Sequence, residues 1–251
     1  MIRLDEALHG AIAQETRYHQ LVASLRRINP ARFRALGEVN CRRLVAHAGL
    51  EGDNFGLMTV GGRAYLLLIM NWLGAYFLDD PRYDAIRTAL SGLGSEEDRL
   101  ARARKAFMAI GDRQIGPDAA ILRERLTRLP EVEPLMRNPD ISHSVLHDAL
   151  LELWDLSPAE RENWPRRYLE GQALKATQYL HIDTSFGRRL ALVLTHVLGV
   201  RFYEDPLYPW VADIVRQARE QGRAPDQALG EYARKRLNAL LRNSDEEDVN
   251  V

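Results

Sequence analysis

Apolar residues recur at three- and four-residue steps along almost the whole chain, beginning with Leu4, Leu8 and Ile12. This spacing places the apolar side chains on one stripe of a helix. No segment shows the sustained alternation that a half-buried strand requires, although the short stretches around Leu57 and Ile182 come nearest to it. The pattern therefore predicts an all-α fold, with about ten helices in a bundle-like array.

Two helix starts are marked by capping residues. Asn29 stands before Pro30, which suits an N-cap followed by proline at the first helical position. Ser157 and Glu160 have the spacing of a capping box, in which each side chain binds the backbone N–H of the other residue. Both signals predict where helices begin.

An internal repeat appears when the sequence is shifted by 125 residues, so that 59–86 falls on 184–211. The two segments share ten identities in 28 positions without a gap. The identical pairs include Thr59 and Thr184, Gly62 and Gly187, Arg63 and Arg188, Gly74 and Gly199, Phe77 and Phe202, Asp80 and Asp205, and Tyr83 and Tyr208. We interpret this repeat as a duplication, which predicts two pseudo-repeated helical halves.

Each copy of the repeat contains a helix that is apolar on nearly every face, which predicts that neighbouring helices enclose it. Gly74 and Gly199 are expected inside these helices, where glycine costs about 1 kcal/mol relative to alanine. Close approach of another backbone is the expected compensation. Phe77 and Phe202 are expected to fill the end of the core, one turn later.

The domain boundaries follow from the repeat and from proline. We predict a first helical half at 1–128, a Pro-rich connector at 129–139, a second half at 140–243 and an acidic, mobile tail at 244–251. Three prolines in the connector predict an extended connection, because proline interrupts a helix.

Composition and charge exclude several classes of function. The formal net charge is −1, and Cys41 is the only cysteine, which excludes an intrachain disulfide and a thiolate metal cluster. The arginine clusters are balanced by acids and lack aromatic neighbours in sequence, so we expect no nucleic-acid binding. The first residues do not resemble a secretory signal and no apolar run would span a bilayer, so we expect a cytoplasmic bacterial protein.

A histidine pair is the first candidate for chemistry. His143 and His147 are four residues apart on a predicted helix, with Asp148 and Glu152 nearby, and they could share a metal ion. The alternative, which we favour, is a pair of partly exposed polar residues, because the internal glutamate of a zinc protease is missing.

The other histidines suggest structural roles. His181 aligns with Gly56 in the first copy, so we expect local hydrogen bonding there rather than a duplicated site. His196 aligns with Asn71, and both are predicted to be buried and bound to the backbone or to each other. No phosphate-binding loop or nucleophile elbow is present, so we expect no catalytic residue, cofactor or metal.

The repeated unit resembles small helical accessory proteins encoded beside type VI secretion spike and toxin genes in proteobacteria. The resemblance rests on Phe55-Gly56-Leu57 with Thr59, an apolar helix ending Leu-Gly-x-x-Phe, the Asp-Pro step, and Tyr208-Pro-Trp210. The second copy has His181 in place of the usual glycine, and the first has Ala85 where the tryptophan is expected. The resemblance implies that the chain handles or neutralises a secreted toxin, and it implies no catalytic residues.

The leading hypothesis is therefore a non-enzymatic cytoplasmic adaptor or chaperone that binds a type VI effector or its partner chaperone. The alternatives are an immunity protein that blocks a cytoplasmic toxin, and an enzyme or toxin with a site between the halves around His143, His147 and His181. Recognition of a partner protein is expected to use side chains around the repeated Asp-Pro steps. These residues are Arg63, Asp80, Tyr83, Arg188, Asp205, Tyr208 and Trp210.

Overall fold

The computed structural model describes residues 2–247, and in residues 2–14, 118, 159, 240 and 242–247 it describes the backbone only. Regular secondary structure in this part is entirely helical and includes no strand, so the all-α prediction is confirmed. The stretches around Leu57 and Ile182 are short loops between helices. No helix within 2–247 has the length and apolar character that crossing a bilayer requires.

The first half contains the helices α1 (Ile2–Ile28), α2 (Pro30–Asn54), α3 (Val60–Leu73), α4 (Asp84–Ser91) and α5 (Glu96–Gln114). The first two of these helices form a long helical hairpin. Asn29 caps α2 as predicted, because its side chain accepts a hydrogen bond from the N–H of Arg32 at 2.9 Å. Gly37, with φ 70° and ψ 167°, interrupts α2 and bends it.

The segment between the halves is helical, which corrects the predicted extended connector. It contains a 3-10 turn at Leu129–Val132 and α7 (Glu133–Arg137), and it directly follows α6 (Ala120–Arg128). Pro130 and Pro134 each occupy one of the first two positions of a turn or helix, where a missing N–H costs little. Val132 lies in the core of the second half, so the connector is part of that half's packing.

The second half contains the remaining helices. These are α8 (His143–Leu153), α9 (Pro158–Glu162), α10 (Arg166–Leu180), α11 (Ser185–Leu198), α12 (Trp210–Glu220) and α13 (Pro225–Glu247). The capping box is confirmed, since the Ser157 and Glu160 side chains each accept a hydrogen bond from the other's backbone N–H. Because α13 continues to Glu247, the predicted tail loses residues 244–247 to a helix, and residues 248–251 lie outside the described part.

The two aligned segments have similar local structure. α3 and α11 each have 14 residues, and Thr59 and Thr184 cap them by accepting the N–H of Gly62 and Gly187. Each cap hydroxyl also binds a carboxylate from a later helix, Glu96 of α5 for the first and Asp226 of α13 for the second. The two segments therefore share helix length and capping contacts, whereas their origin by duplication stays a prediction.

Gly74 and Gly199 end the two apolar helices rather than lying inside them. Their φ angles are 97° and 101°, which L side chains rarely adopt. A Cβ built at Gly74 would lie 3.2 Å from the carbonyl oxygen of Leu198, and one at Gly199 would lie 3.4 Å from that of Leu73. The close backbone approach is therefore present, and it joins the C-terminal ends of α3 and α11.

Each half has its own buried apolar cluster. Phe77 and Phe202 are 1% and 0% exposed and fill the two clusters as predicted. Leu207 of the second half is buried in the first cluster, and Tyr208 packs against both. The halves therefore share packing at the place where the repeated helices end, which we call the seam.

Candidate functional site

The seven predicted contact residues do not form a common surface. Arg63, Asp80, Tyr83 and Asp205 are buried in the chain. Tyr208 and Trp210 are partly buried, and Arg188 is exposed. The expectation that these residues act together as exposed anchors is therefore corrected, because four of the seven lie where a partner protein cannot touch them.

Asp80 is buried in the seam, where it forms an ion pair. Its carboxylate binds the guanidinium of Arg82 at 2.5 Å, and the Arg82 side chain is only 5% exposed. Arg82 also donates to the carbonyl oxygens of Thr195 and His196, at 3.3 and 3.0 Å, in the last turn of α11. The arginine thereby supplies a partner for the carbonyl of His196 and a second one for that of Thr195, which also accepts the N–H of Gly199. Asp80 and Arg82 thus connect the halves and are not free for a partner.

Asp205 also connects the halves, because it belongs to the second half and binds the backbone of the first. It accepts hydrogen bonds from the backbone N–H of Ala75 and of Leu207, both at 2.8 Å. Burial is the main cause that raises the pKa of Asp205 to about 6, although these two N–H groups and Arg32 oppose the rise. Unlike Asp80, this carboxylate has no ion-pair partner among the described residues.

The aligned arginines differ in environment. Arg63 is buried and donates to the carbonyl of Leu57 at 2.9 Å and to Asp53 at 2.5 Å. Arg188 pairs with Asp183 at 2.6 Å on the surface. The buried arginine of the second half is Arg189, which donates to the carbonyl of Met136 at 2.7 Å. Sequence identity at this position therefore does not give the same packing.

His147 pairs with His196 and not with His143 or His181. Nδ1 of His147 lies 3.3 Å from Nε2 of His196, and the two rings are 0% and 2% exposed. Burial, together with the positive charge of Arg166, lowers the pKa of His147 to about 4. Burial likewise lowers the pKa of His196 well below its usual value. Both rings are therefore neutral at pH 7, so one donates and the other accepts.

The expectation that His143 and His147 are both partly exposed is wrong for His147, which is 0% exposed. His143 and His181 are exposed, and no group of three metal-ligating side chains occurs among the described residues. His181 has a left-handed backbone with φ 45°, as Gly56 does with φ 59°. Asn71 is buried as expected, but its side-chain oxygen has no partner among the described residues and does not bind His196.

Cys41 is 1% exposed, and its thiol contacts the carbonyl oxygen of Phe33 at 3.6 Å. Burial raises the pKa of Cys41, which keeps it as a thiol at neutral pH. Cys41 therefore packs as a small apolar residue.

A cavity of about 90 Å³ lies at the seam, and we call it the seam cavity. Residues of both halves line it, among them Trp72, Arg82, Arg125, Trp154, Trp164 and His196. Two of these lining residues are arginines, and no Asp or Glu is among the lining residues described. The cavity therefore has a positive and aromatic lining.

Polar groups at the seam cavity are left without partners. The indole N–H groups of Trp154 and Trp164 are buried and bind nothing in the described part of the chain. Neither these tryptophans nor Arg125 was predicted as a site residue from the sequence. The available signal was the placement of Trp154 and Trp164 ten residues apart, on either side of the capping box.

A larger cleft lies between α1 and α2, with a volume of about 650 Å³, and we call it the hairpin cleft. Its lining includes apolar and aromatic side chains with arginines around them: Tyr18, Val22, Ala23, Arg26, Arg27, Phe33, Arg34, Cys41 and Arg42. Glu38 is its only acidic lining residue among those described, and it pairs with Arg42 at 2.7 Å.

Arginines of the hairpin cleft stack on aromatic rings. The guanidinium of Arg26 lies 5.3 Å from the ring centre of Phe33, and that of Arg42 lies 5.3 Å from that of Tyr18. Sequence reasoning saw no aromatic residues beside these arginines, because the rings come from the facing helix. The lack of aromatic neighbours was one of two reasons for expecting no nucleic-acid binding, and it does not hold in the folded chain.

Comparison with known proteins adds no assignment to this geometry. Neither a protein-family model, nor a curated protein, nor a solved structure matches the chain.

Proposed function

We propose that this chain is a non-enzymatic adaptor or chaperone that binds another protein through the hairpin cleft. The observation that carries the proposal is the combination of apolar walls with arginines that have no carboxylate partner. Arg26, Arg27 and Arg34 all lie at the cleft and are exposed, and none forms an ion pair with a described side chain. Such a surface suits a partner that offers both apolar and acidic side chains.

An amphipathic helix fits the dimensions of the hairpin cleft. The lining residues of α1 extend from Tyr18 to Arg27, which is about 15 Å at 1.5 Å per residue. About three turns of a partner helix could lie along this length. An apolar helix face in a groove is a common mode of peptide recognition.

Charge favours an acidic partner. Of the five charged lining residues, four are arginines, and the single glutamate is already bound by Arg42. Acidic side chains beside the apolar face of the partner helix would meet Arg26, Arg27 and Arg34. Charged contacts at the rim of an interface mainly set its specificity and its association rate.

The identity of the partner rests on the sequence resemblance. Similarity of the repeated unit to accessory proteins of type VI secretion supports a secreted effector, or its partner chaperone, as the bound protein. A cytoplasmic location in a bacterium belongs to the same proposal.

The test is binding of the full chain to purified products of the neighbouring genes in its host. Arg26→Glu, Arg27→Glu and Arg34→Glu together reverse the charge at the hairpin cleft. Arg167→Glu, Lys175→Glu and Arg216→Glu make the same charge change on exposed positions of α10 and α12. We expect the first variant to weaken binding about tenfold or more, and the control to bind like the wild type.

Equal binding by both triple variants would contradict the proposed surface. Binding of single-stranded DNA at the cleft, with strong salt dependence, would replace the protein partner by a nucleic acid. An acidic amphipathic peptide that binds the wild type and not the cleft variant would support the proposal directly.

Toxicity assays separate the proposed adaptor from the two alternatives. An immunity protein would rescue cells that express the bare toxin, whereas an adaptor is needed only for delivery. If expression of this chain alone were harmful, and His147→Ala removed the effect while the variant stayed folded, the chain would be an enzyme or toxin.

A further inference from the structure

The seam cavity has features of a ligand site that the proposed adaptor function does not use. Its volume of about 90 Å³ exceeds the roughly 15 Å³ that one water requires. It is smaller than a 150 Å³ cavity of the kind that admits benzene. A ligand enclosed there would have only a few non-hydrogen atoms.

The positive charge of the cavity lining favours an anionic ligand. Arg82 is fully occupied, because it binds Asp80 and two carbonyl oxygens of α11. Arg125 is different: its one hydrogen bond to a described residue is a 3.5 Å contact with the carbonyl of Gln114. No described carboxylate pairs with Arg125, and its guanidinium lies 5.7 Å from the ring centre of Trp154. One half-buried cation at the cavity therefore lacks a counter-charge.

Other charged groups act on Arg125 only from a distance. Burial lowers the pKa of Arg125, Arg113 adds to this effect, and Asp155, Glu124 and Glu160 oppose it. Glu160 is itself bound to Arg113 and to Ser157. The described surroundings thus leave Arg125 only partly compensated.

Two tryptophan rings lie at the cavity with this cation. The unpartnered indole N–H groups belong to Trp154 and Trp164, which both line the seam cavity. A buried N–H without an acceptor is unfavourable, so such groups are nearly always paired in proteins. These two N–H groups are buried behind the cavity wall, so Arg125 is the donor that a ligand in the cavity can reach.

We infer that the seam cavity binds a short-chain monocarboxylate, whose two oxygens accept hydrogen bonds from the guanidinium of Arg125, while the rings of Trp154 and Trp164 line the site. A planar carboxylate matches the donor fork of a guanidinium. The aromatic and aliphatic walls suit the short alkyl part of an organic acid. A phosphate fits less well, because it has more acceptor oxygens than these donors satisfy and is strongly hydrated.

The test is an NMR titration of the full chain with propionate. The chain has four tryptophans, so four indole N–H signals report on binding, and single Trp→Phe variants assign them. We expect the signals of Trp154 and Trp164 to shift with saturation. Trp210 packs against Tyr232, with 5.2 Å between the ring centres, and does not line the cavity, so its signal should stay in place.

Matched ligands and variants make the result specific. Propionamide has nearly the same shape without the charge and should cause no saturable shift. Arg125→Gln should weaken propionate binding about tenfold or more, since a charge-assisted contact is lost. Arg128→Gln, at an exposed position of the same helix, should bind like the wild type, and the backbone amide spectrum verifies folding of both variants.

Three outcomes would overturn the inference. The first is that propionate leaves both indole signals unmoved. The second is that propionamide or inorganic phosphate shifts them as strongly as propionate does. The third is that Arg125→Gln binds propionate like the wild type. None of these results depends on the hairpin cleft, so the inference and the proposed function can fail separately.

Discussion

Asp205 accepts a hydrogen bond from the backbone N–H of Ala75 at 2.8 Å, across 130 residues of chain. The carboxylate is 2% exposed and holds the end of α3 against the loop that follows α11. Asp80, at the aligned position, instead pairs with Arg82. The seam therefore contains one buried carboxylate in an ion pair and one that is bound by backbone N–H groups.

The first prediction concerns the pH dependence of Asp205. Its pKa in the folded chain is about 6, above the ordinary value of about 3.9, so the folded state binds the proton more tightly than the unfolded state. The contribution of Asp205 to stability is therefore complete below about pH 4 and is lost as the pH rises through about 6. The loss should be of the order of 2–3 kcal/mol.

Asp205→Asn, which removes the titratable group and keeps the size of the side chain, provides the comparison. Urea unfolding of both chains between about pH 4 and pH 7 should show the wild type losing stability relative to the variant as the pH rises. A difference that stays constant over this range would show that Asp205 does not titrate as described.

The second prediction concerns the buried histidine pair and has the opposite sign. The pKa of His147 is about 4 in the folded chain, against an ordinary value of about 6.5, because burial disfavours the charged ring. The unfolded state therefore binds more protons, and stability should fall as the pH decreases from about 6.5 to about 4. His147→Gln should remove part of this acid sensitivity, as measured by unfolding at several pH values.

His143→Gln is the matched control for the histidine prediction, because His143 is exposed on the same helix. That variant should keep the pH profile of the wild type. If His147→Gln had the same profile as well, the histidine pair would not be the source of the acid sensitivity.

The third prediction compares the caps of α3 and α11. Replacing Thr59 or Thr184 by valine removes an N-cap, at a cost of about 1 kcal/mol. The cost should be larger at Thr184, because its partner Asp226 is 4% exposed and would lose the hydroxyl at 2.5 Å, whereas Glu96 is more exposed. Thermal unfolding of Thr59→Val and Thr184→Val measures both, and equal costs would contradict the argument.

The fourth prediction concerns the glycine at the end of α11. Gly199→Ala should destabilise the chain by about 1–3 kcal/mol, because φ 101° with ψ 172° is almost exclusive to glycine. Gly171→Ala is the control: Gly171 lies within α10, and a Cβ there would meet nothing within 4 Å. That control should be neutral or stabilising by up to about 1 kcal/mol. Similar losses in both variants would show that the backbone angle at Gly199 is unimportant.

The features that the sequence predicted correctly are local. Asn29 and the pair of Ser157 and Glu160 act within four residues of chain, so capping chemistry alone specifies them. The apolar periodicity likewise specified an all-α fold, since it reports the buried stripe of each helix.

The features that the sequence did not predict depend on contacts between distant segments. Nothing local distinguishes Arg82, which is buried in the seam, from Arg188, which is exposed. The pairing of His147 with His196 joins α8 to α11, and it was missed because only His143 is near His147 in sequence. For the same reason, the seam cavity was not predicted, as its lining comes from several helices of both halves.

The exchange of side chains across the seam has a consequence for a nicked chain. Leu207 is embedded in the first core, and Arg82 binds carbonyls at the end of α11, so each part supplies groups that the other buries. Cleavage between Arg137 and Asp140 should therefore leave two fragments that co-elute in gel filtration and separate only in denaturant. Either fragment produced alone would expose apolar surface that the other fragment covers in the intact chain, and it should aggregate. Co-expression should restore a soluble heterodimer.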